Sequence, residues 1–377
     1  MTATSAVGAA PSLAGVGPEA RARRRAMQRT GRRRAFGLSL TIGAFWLSAV
    51  TVTGQWGRVA DNGAAALTMI PGSFVAGSTP QGGGAVAFPV FTKLLGVAAA
   101  DARTFSLAIQ AVGMGTASAA IAITGRAIDR SALRLTVPAA IVGYLAGATL
   151  FTVVTPPGAY VKVVFTLVVA AAGACTWASR RPVFVEHLSA APLDGRRAVI
   201  AVVAGLGGVA SALFGSGADV AVYLLLSIVL GVRPSIGVAT SVVTMASVSL
   251  VGLVRALLVG DLVPTVTSTG VDVFGMWLAA VPVVIVGAPL GSWFAARVPA
   301  RWLARFIAVL AGAEVASTVL FLDELRSDPI LASFAAIGLV ATLWLVRHLL
   351  TVRDDLACRR PALASVRRLD LEVTGAP

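Results

Sequence analysis

The sequence predicts an all-α polytopic membrane protein. It reads as an inverted repeat, each half a re-entrant or broken-helix hairpin followed by three spans, with one extra span at each end. Three observations carry this. Of 377 residues, 57% are hydrophobic and 13% charged, and apolar stretches of spanning length recur along the chain. Two of those stretches are overlong and are interrupted halfway by glycines. The arginines cluster in loops that only one topology gathers on a single side.

The net charge is +14, with eight arginines in the first 34 residues. Basic residues confined to an arm, a few loops and a tail fit positive-inside topology and contact with anionic headgroups, not nucleic-acid binding. Arg32–Leu38 (RRRAFGL) looks like a twin-arginine signal, but a signal anchor fits better because only more membrane sequence follows. Residues 1–34 are expected to be a disordered, basic cytoplasmic arm, and residues 35–57 the first span, ending near Trp56.

Residues 63–95 then form one apolar block of 33 residues. As a straight helix it would measure about 50 Å, against hydrocarbon roughly 30 Å thick. It includes Pro80 and the run Gly82, Gly83, Gly84, which weaken a helix interior. In hydrocarbon the backbone groups freed by such a break cost several kcal/mol each, so a break belongs where protein or a wet cavity surrounds it. Spans follow near 102–124, 135–154 and 159–178. Residues 198–231 form a second overlong block, broken at Gly215 and Gly217, and spans follow near 235–258, 272–296 and 302–322. The halves are thus 63–180 and 197–325, with a last span at 328–350 and a basic cytoplasmic tail at 351–377.

If both blocks cross the membrane, Arg126, Arg130, Arg134, Arg180, Arg181, Arg196 and Arg197 face outward. If both dip in and return, all seven are cytoplasmic, as are both termini, while Asp323, Glu324 and Asp328 stay outside. The re-entrant topology is therefore expected, with eight full spans. It makes the halves an inverted-topology repeat, and paired broken segments point to a transport site. Sliding Leu94–Val97 onto Val229–Val232 sets Gln81 on Ser216, Gly82 on Gly217 and Ser106 on Ser241.

Residues 72–115 and 205–249 resemble the TauE/SafE family of sulfite and organosulfonate exporters. Its pattern is a Gly-rich segment, an apolar run with a proline, a short loop and a Thr-Ser helix start, twice over. The first copy keeps Gly82, Gly83, Gly84 and Pro89 but has Phe105-Ser106 at the Thr-Ser site. The second keeps Gly215, Gly217, Pro234, Thr240 and Ser241, with Ala218 and Asp219 at glycine positions and Leu224 at the proline position. The resemblance implies export of a small sulfur-containing or related anion.

The residues support an anion site independently. A half-helix beginning at each break aims free N–H groups and the positive end of its dipole at the membrane middle. Glycines there let an anion approach the backbone, although glycines also serve plain helix packing. The candidate cradle is Gln81, Gly82, Gly83, Gly84, Gly215, Ser216 and Gly217. Thr104, Ser106 and Gln110 on one span, with Thr240, Ser241 and Thr244 on another, are expected to complete it, unless the hydroxyls merely bond their own helices. Asp219 follows Ser216 at capping-box spacing, so it either caps the second half-helix or carries a proton. Glu314 lies mid-span with no partner evident in the sequence and is a second proton-coupling candidate. Lys93, Arg103 and Arg255 lie nearer span ends, where long basic side chains snorkel; Lys93 or Arg103 could also line an outer mouth.

Cys175, Cys358, His187 and His348 form no disulfide or metal pattern, so neither a metal nor another cofactor is expected. A secondary transporter in the plasma membrane, working by alternating access with no covalent chemistry, is the first functional expectation. An anion channel or uncoupled facilitator is the second, and a membrane subunit of an enzyme complex the third. The expected partners are a small anion and a bilayer with anionic headgroups; a homo-oligomer is left open.

Overall fold

The computed structural model describes residues 18–178, 196–262 and 270–374. Arg180, Arg181 and His187 lie outside them. All described elements are helical. They are α1 (Pro18–Val52), α2 (Trp56–Asp61), α3 (Gly63–Ser78), α4 (Gly84–Pro89), α5 (Ala99–Ile123), α6 (Arg130–Val153), α7 (Gly158–Ala178), α8 (Arg197–Phe214), α9 (Ala218–Tyr223), α10 (Pro234–Val259), α11 (Val273–Ala295), α12 (Ala300–Phe321), α13 (Glu324–Ser327) and α14 (Pro329–Thr374). Nine described helices are long and apolar enough to span a membrane. Eight are the expected spans. The ninth is α8, the first arm of the second broken block, which at 18 residues only just reaches that length.

Both overlong blocks are broken at the glycines, and each chain folds back on itself. A Cβ built on Gly83 would lie 3.3 Å from the Ala76 Cβ, and one on Gly72 would lie 3.7 Å from Val86, so α4 returns along α3. In the second block a Cβ on Gly207 would lie 2.8 Å from the Ala221 Cβ, so α9 returns along α8. Each return arm widens into a π turn, Val90–Leu94 after α4 and Leu224–Val229 after α9. Pro89 precedes the first, as a missing N–H would favour. The second starts at Leu224 without proline, so the wide turn does not depend on that residue.

The first arms exchange partners. α3 packs mainly on α11, and α8 mainly on α6. A Cβ on Gly77 would overlap the Ala288 carbonyl and one on Gly291 the Phe74 carbonyl; a Cβ on Gly208 would overlap the Ala140 carbonyl. In lipid, where apolar surface is not driven together by water, such backbone contact at small residues is what holds helices. Behind the first break, Phe88 and Phe214 pack on Phe165 at 5.0 and 5.2 Å between ring centres.

One expectation needs correction. The basic arm is not disordered from Pro18 onward, because α1 runs unbroken from there to Val52. Once a spanning helix is nucleated by the membrane-length apolar run, arginines and alanines extend it easily. Beyond residue 350, α14 continues as helix to Thr374.

Candidate functional site

The two breaks face each other in the interior. At the first, α3 stops at Ser78, Thr79 is extended, and Gly82 takes φ +66° before α4 begins. At the second, α8 ends on Gly215 at φ +80°, and Gly217 at φ +150° precedes α9. Only glycine takes these conformations without a Cβ penalty. The space is as restrictive as the torsions. A Cβ on Gly82 would meet the Asp219 Oδ2, lie 2.9 Å from the Gln110 Oε1 and 3.2 Å from the Ser216 Oγ. One on Gly84 would lie 2.8 Å from the Ser216 Cβ, and one on Gly215 2.7 Å from the Ser106 Cβ. Hairpin tip, hairpin tip and the middle of α5 therefore touch at one place.

Polar groups line it. Gln110 donates through Nε2 to the Gly215 carbonyl at 2.7 Å and to the Ser106 Oγ at 2.8 Å, and Ser106 donates to the Gly215 carbonyl at 3.2 Å. Ser216 donates to the Gln81 carbonyl across the two breaks at 3.3 Å. The Gln81 amide, 1% exposed, has neither its Nε2 nor its Oε1 paired, and the Gln110 Oε1 is also unpaired. Buried amide atoms without partners are costly, and finding them on residues at the break and on the α5 face beside it marks a place where a ligand would be bonded. Residues 80–83 form a turn that leads into α4, so the glycine backbone itself lies at this place.

The second break differs from the expected mirror image. The Asp219 Oδ1 accepts from the Gly217 N–H at 3.1 Å, the Val220 N–H at 3.0 Å and the Ser216 hydroxyl at 3.2 Å. The Ser211 hydroxyl accepts from the Ala218 N–H at 3.0 Å. The start of α9 is thus capped by its own chain, and its N–H groups are not free to hold an anion. The Asp219 Oδ2 points the other way, at Gly82. What meets between the breaks is the glycine turn of the first and a carboxylate from the second.

Other candidates stand apart. The side-chain direction of Gly83 is toward its own first arm, so only its backbone could take part. Thr240 donates to the Ile236 carbonyl at 2.7 Å and accepts from the Asp129 N–H, serving the start of α6; Thr244 bonds Thr136 at 3.0 Å. Ser241 donates to the Val238 carbonyl of its own helix, and Thr104 to the Ala100 carbonyl of its own. None of these hydroxyls bonds the meeting point.

Glu314 does have a partner. Its Oε1 lies 2.6 Å from the Lys93 Nζ, both side chains are 1% exposed, and Lys93 also donates to Thr318 at 2.7 Å and Ser317 at 3.0 Å. Thr166 of α7 donates to the same carboxylate at 2.7 Å. The snorkelling expectation for Lys93 is therefore wrong: the pair joins the first return arm to α12 and α7. Arg103 is turned inward as well, donating to the Ala212 carbonyl at 3.3 Å. Arg255 pairs with Asp261 at 3.4 Å. A lone Lys and a lone Glu in separate apolar segments was the sequence signal for the buried pair, because hydrocarbon leaves each little choice but the other.

A family model described as sulfite exporter TauE/SafE matches residues 64–317, about two thirds of the chain. The match takes in both hairpins, the six spans after them and Glu314. No curated protein and no solved structure matches the chain.

Proposed function

The chain belongs to the sulfite exporter TauE/SafE family, and from that premise we propose that it carries a small oxyanion, sulfite or an organosulfonate, across the cell membrane by alternating access. It is a transporter-family protein and not an enzyme. Both termini lie on the cytoplasmic side in this reading, where the arginine-rich loops place them. The two halves act as an inverted repeat, supported by the exchange of partners in which α3 packs on α11 and α8 on α6.

The observation that carries the proposal is that the two breaks and α5 meet at one buried place, where the Gln110 Oε1 has no partner and the neighbouring Gln81 amide has none either. When the hairpin tips separate, the N–H groups of Gly82, Gly83 and Gly84 and the Gln81 amide receive the anion, replacing the water it sheds. Asp219 sets the coupling. A carboxylate facing the same space repels an arriving anion, so the two share it only if Asp219 is protonated. Anion and proton then move together. Glu314 is the weaker candidate for this role, since Lys93 already holds its charge. A channel is disfavoured because Gln81, Ser106, Gln110, Ser216 and Asp219 are all at most 2% exposed, leaving no wet path past them.

The test is sulfite transport in proteoliposomes with Asp219→Asn, which keeps the shape and the acceptor oxygen of the cap. The variant is expected to exchange labelled sulfite across the membrane while no longer accumulating it under a proton gradient. Gradient-driven accumulation at the wild-type level would remove Asp219 from the mechanism. Wild-type protein that never accumulates sulfite or taurine against a gradient would favour a passive pore.

A further inference from the structure

We propose that the groove between the deep half of α3, the end of α11 and the start of α12 binds one anionic phospholipid, its acyl chain in the groove and its headgroup on Arg301 and Arg305. The cavity is about 430 Å³ and is lined by Phe74, Phe294, Val298, Pro299, Trp302 and Phe306. Its volume lies within the range of ligand pockets, about 300–1,000 Å³. The lining contains no charged or hydrogen-bonding side chain except the indole of Trp302, so the part of a ligand that enters is apolar.

The rim is the opposite. The linker and first turns of α12 (Ala296–Phe306, ARVPARWLARF) hold Arg297, Arg301 and Arg305 and no acidic residue. The one acidic side chain of α12, Glu314, is engaged by Lys93 well away from the rim. Arg305 lies over the ring of Trp302, a lining residue, at 4.9 Å, so an aromatic face holds its guanidinium beside the cavity, while Arg297, next in sequence to the lining Val298, lies over the Trp293 ring at 4.0 Å. Arg126 enters from the loop before α6, donating to the Ser292 carbonyl at 2.6 Å. Burial, and then the like charge of Arg297, bring its guanidinium down to about 10, still cationic at neutral pH. A slot for a chain beside this run of arginines matches a lipid whose head is an anion and whose tail is hydrocarbon. Trp302, 52% exposed, sits at the junction where an amphipathic ring marks the interface. The linker between α6 and α7, residues 154–157, carries no charge.

The first wall of the groove is α3, whose tip carries the meeting point described above. Lipid here would lean on a transport element, although its binding does not depend on what is transported.

Tryptophan quenching tests the site. The full chain is reconstituted in phosphatidylcholine nanodiscs and titrated with dibrominated phosphatidylglycerol or dibrominated phosphatidylcholine, the Trp302→Phe chain giving the signal from this groove. Phosphatidylglycerol is expected to quench at a much lower mole fraction, with each arginine worth about fivefold. In Arg301→Gln/Arg305→Gln the two lipids should quench almost alike, whereas Arg347→Gln, on α14, should keep the preference. The phosphatidylcholine curve should not move in the double variant, which verifies that the groove is still built. Equal quenching by both lipids in the wild type, or an undiminished preference in the double variant, overturns the proposal. So does disulfide pairing of Trp302→Cys chains in the same discs, since the groove would then be covered by a second copy.

Discussion

Breaking the Lys93–Glu314 pair should expose its worth through the difference between single and double substitutions. In Glu314→Gln the ammonium keeps Ser317 and Thr318 but loses its counter-charge, at a site where both side chains are 1% exposed. Leaving one buried charge alone costs about 3–5 kcal/mol, enough to lower folded yield sharply in a protein of ordinary stability. Lys93→Met strands the carboxylate instead, with only Thr166, Ser317 and Thr318 to satisfy it, and should cost a similar amount. Removing both charges, as Lys93→Met/Glu314→Gln, leaves no unpaired charge and should return to within about 1–2 kcal/mol of wild type. The assay is reversible unfolding in mixed micelles, run as a double-mutant cycle, with sulfite uptake measured on every variant that folds. If Asp219 is the proton carrier, the double variant should transport, because the pair then serves to brace the first return arm against α7 and α12. Single-substitution losses that simply add would show that the two groups do not interact. A folded double variant that exchanges sulfite but cannot couple it to protons would return the proton to Glu314.

Gly82→Ala should abolish transport at normal expression, since φ +66° costs an alanine about 1–2 kcal/mol and its Cβ would meet the Asp219 carboxylate; uptake at even half the wild-type rate would contradict that geometry. Gly208→Leu should part α8 from α6, costing upwards of about 3 kcal/mol and most of the folded protein in size-exclusion profiles, because no side chain fits against the Ala140 carbonyl. Arg58→Ala should cost less than about 1 kcal/mol, as its bidentate pair with Asp272 is 37% and 28% exposed. Asp272→Ala should cost about 1 kcal/mol more than Arg58→Ala in the same unfolding assay, because Asp272 also accepts from the Gly275 N–H at the start of α11.

The legible part of the site was its backbone. Gly82, Gly215 and Gly217 announce breaks because positive φ is written in residue type. The side chains around them were read less well. Ser106 and Gln110 reach the second break, yet Thr240, offered with Ser241 as their counterpart, turns to Asp129 instead. Nothing in the spacing along α10 distinguishes the face toward the breaks from the face toward α6. The symmetric cradle failed at Asp219, a residue that the sequence allowed either to cap or to titrate. Its Oδ1 caps α9 while Oδ2 faces the first break, a division of one carboxylate that needs coordinates.

The sequence alone determined that this chain is a polytopic helical membrane protein and where two of its apolar runs break. Bilayer thickness and the backbone limits of glycine and proline are local rules, readable a few residues at a time. Tertiary structure decided that Gly82 meets Asp219, that α3 lies on α11, and that Lys93 finds Glu314 at 221 positions' distance. Those pairings arise where backbones approach through small residues and where a buried charge must find its opposite. Such choices belong to the packed bundle, and no stretch of the chain carries them by itself.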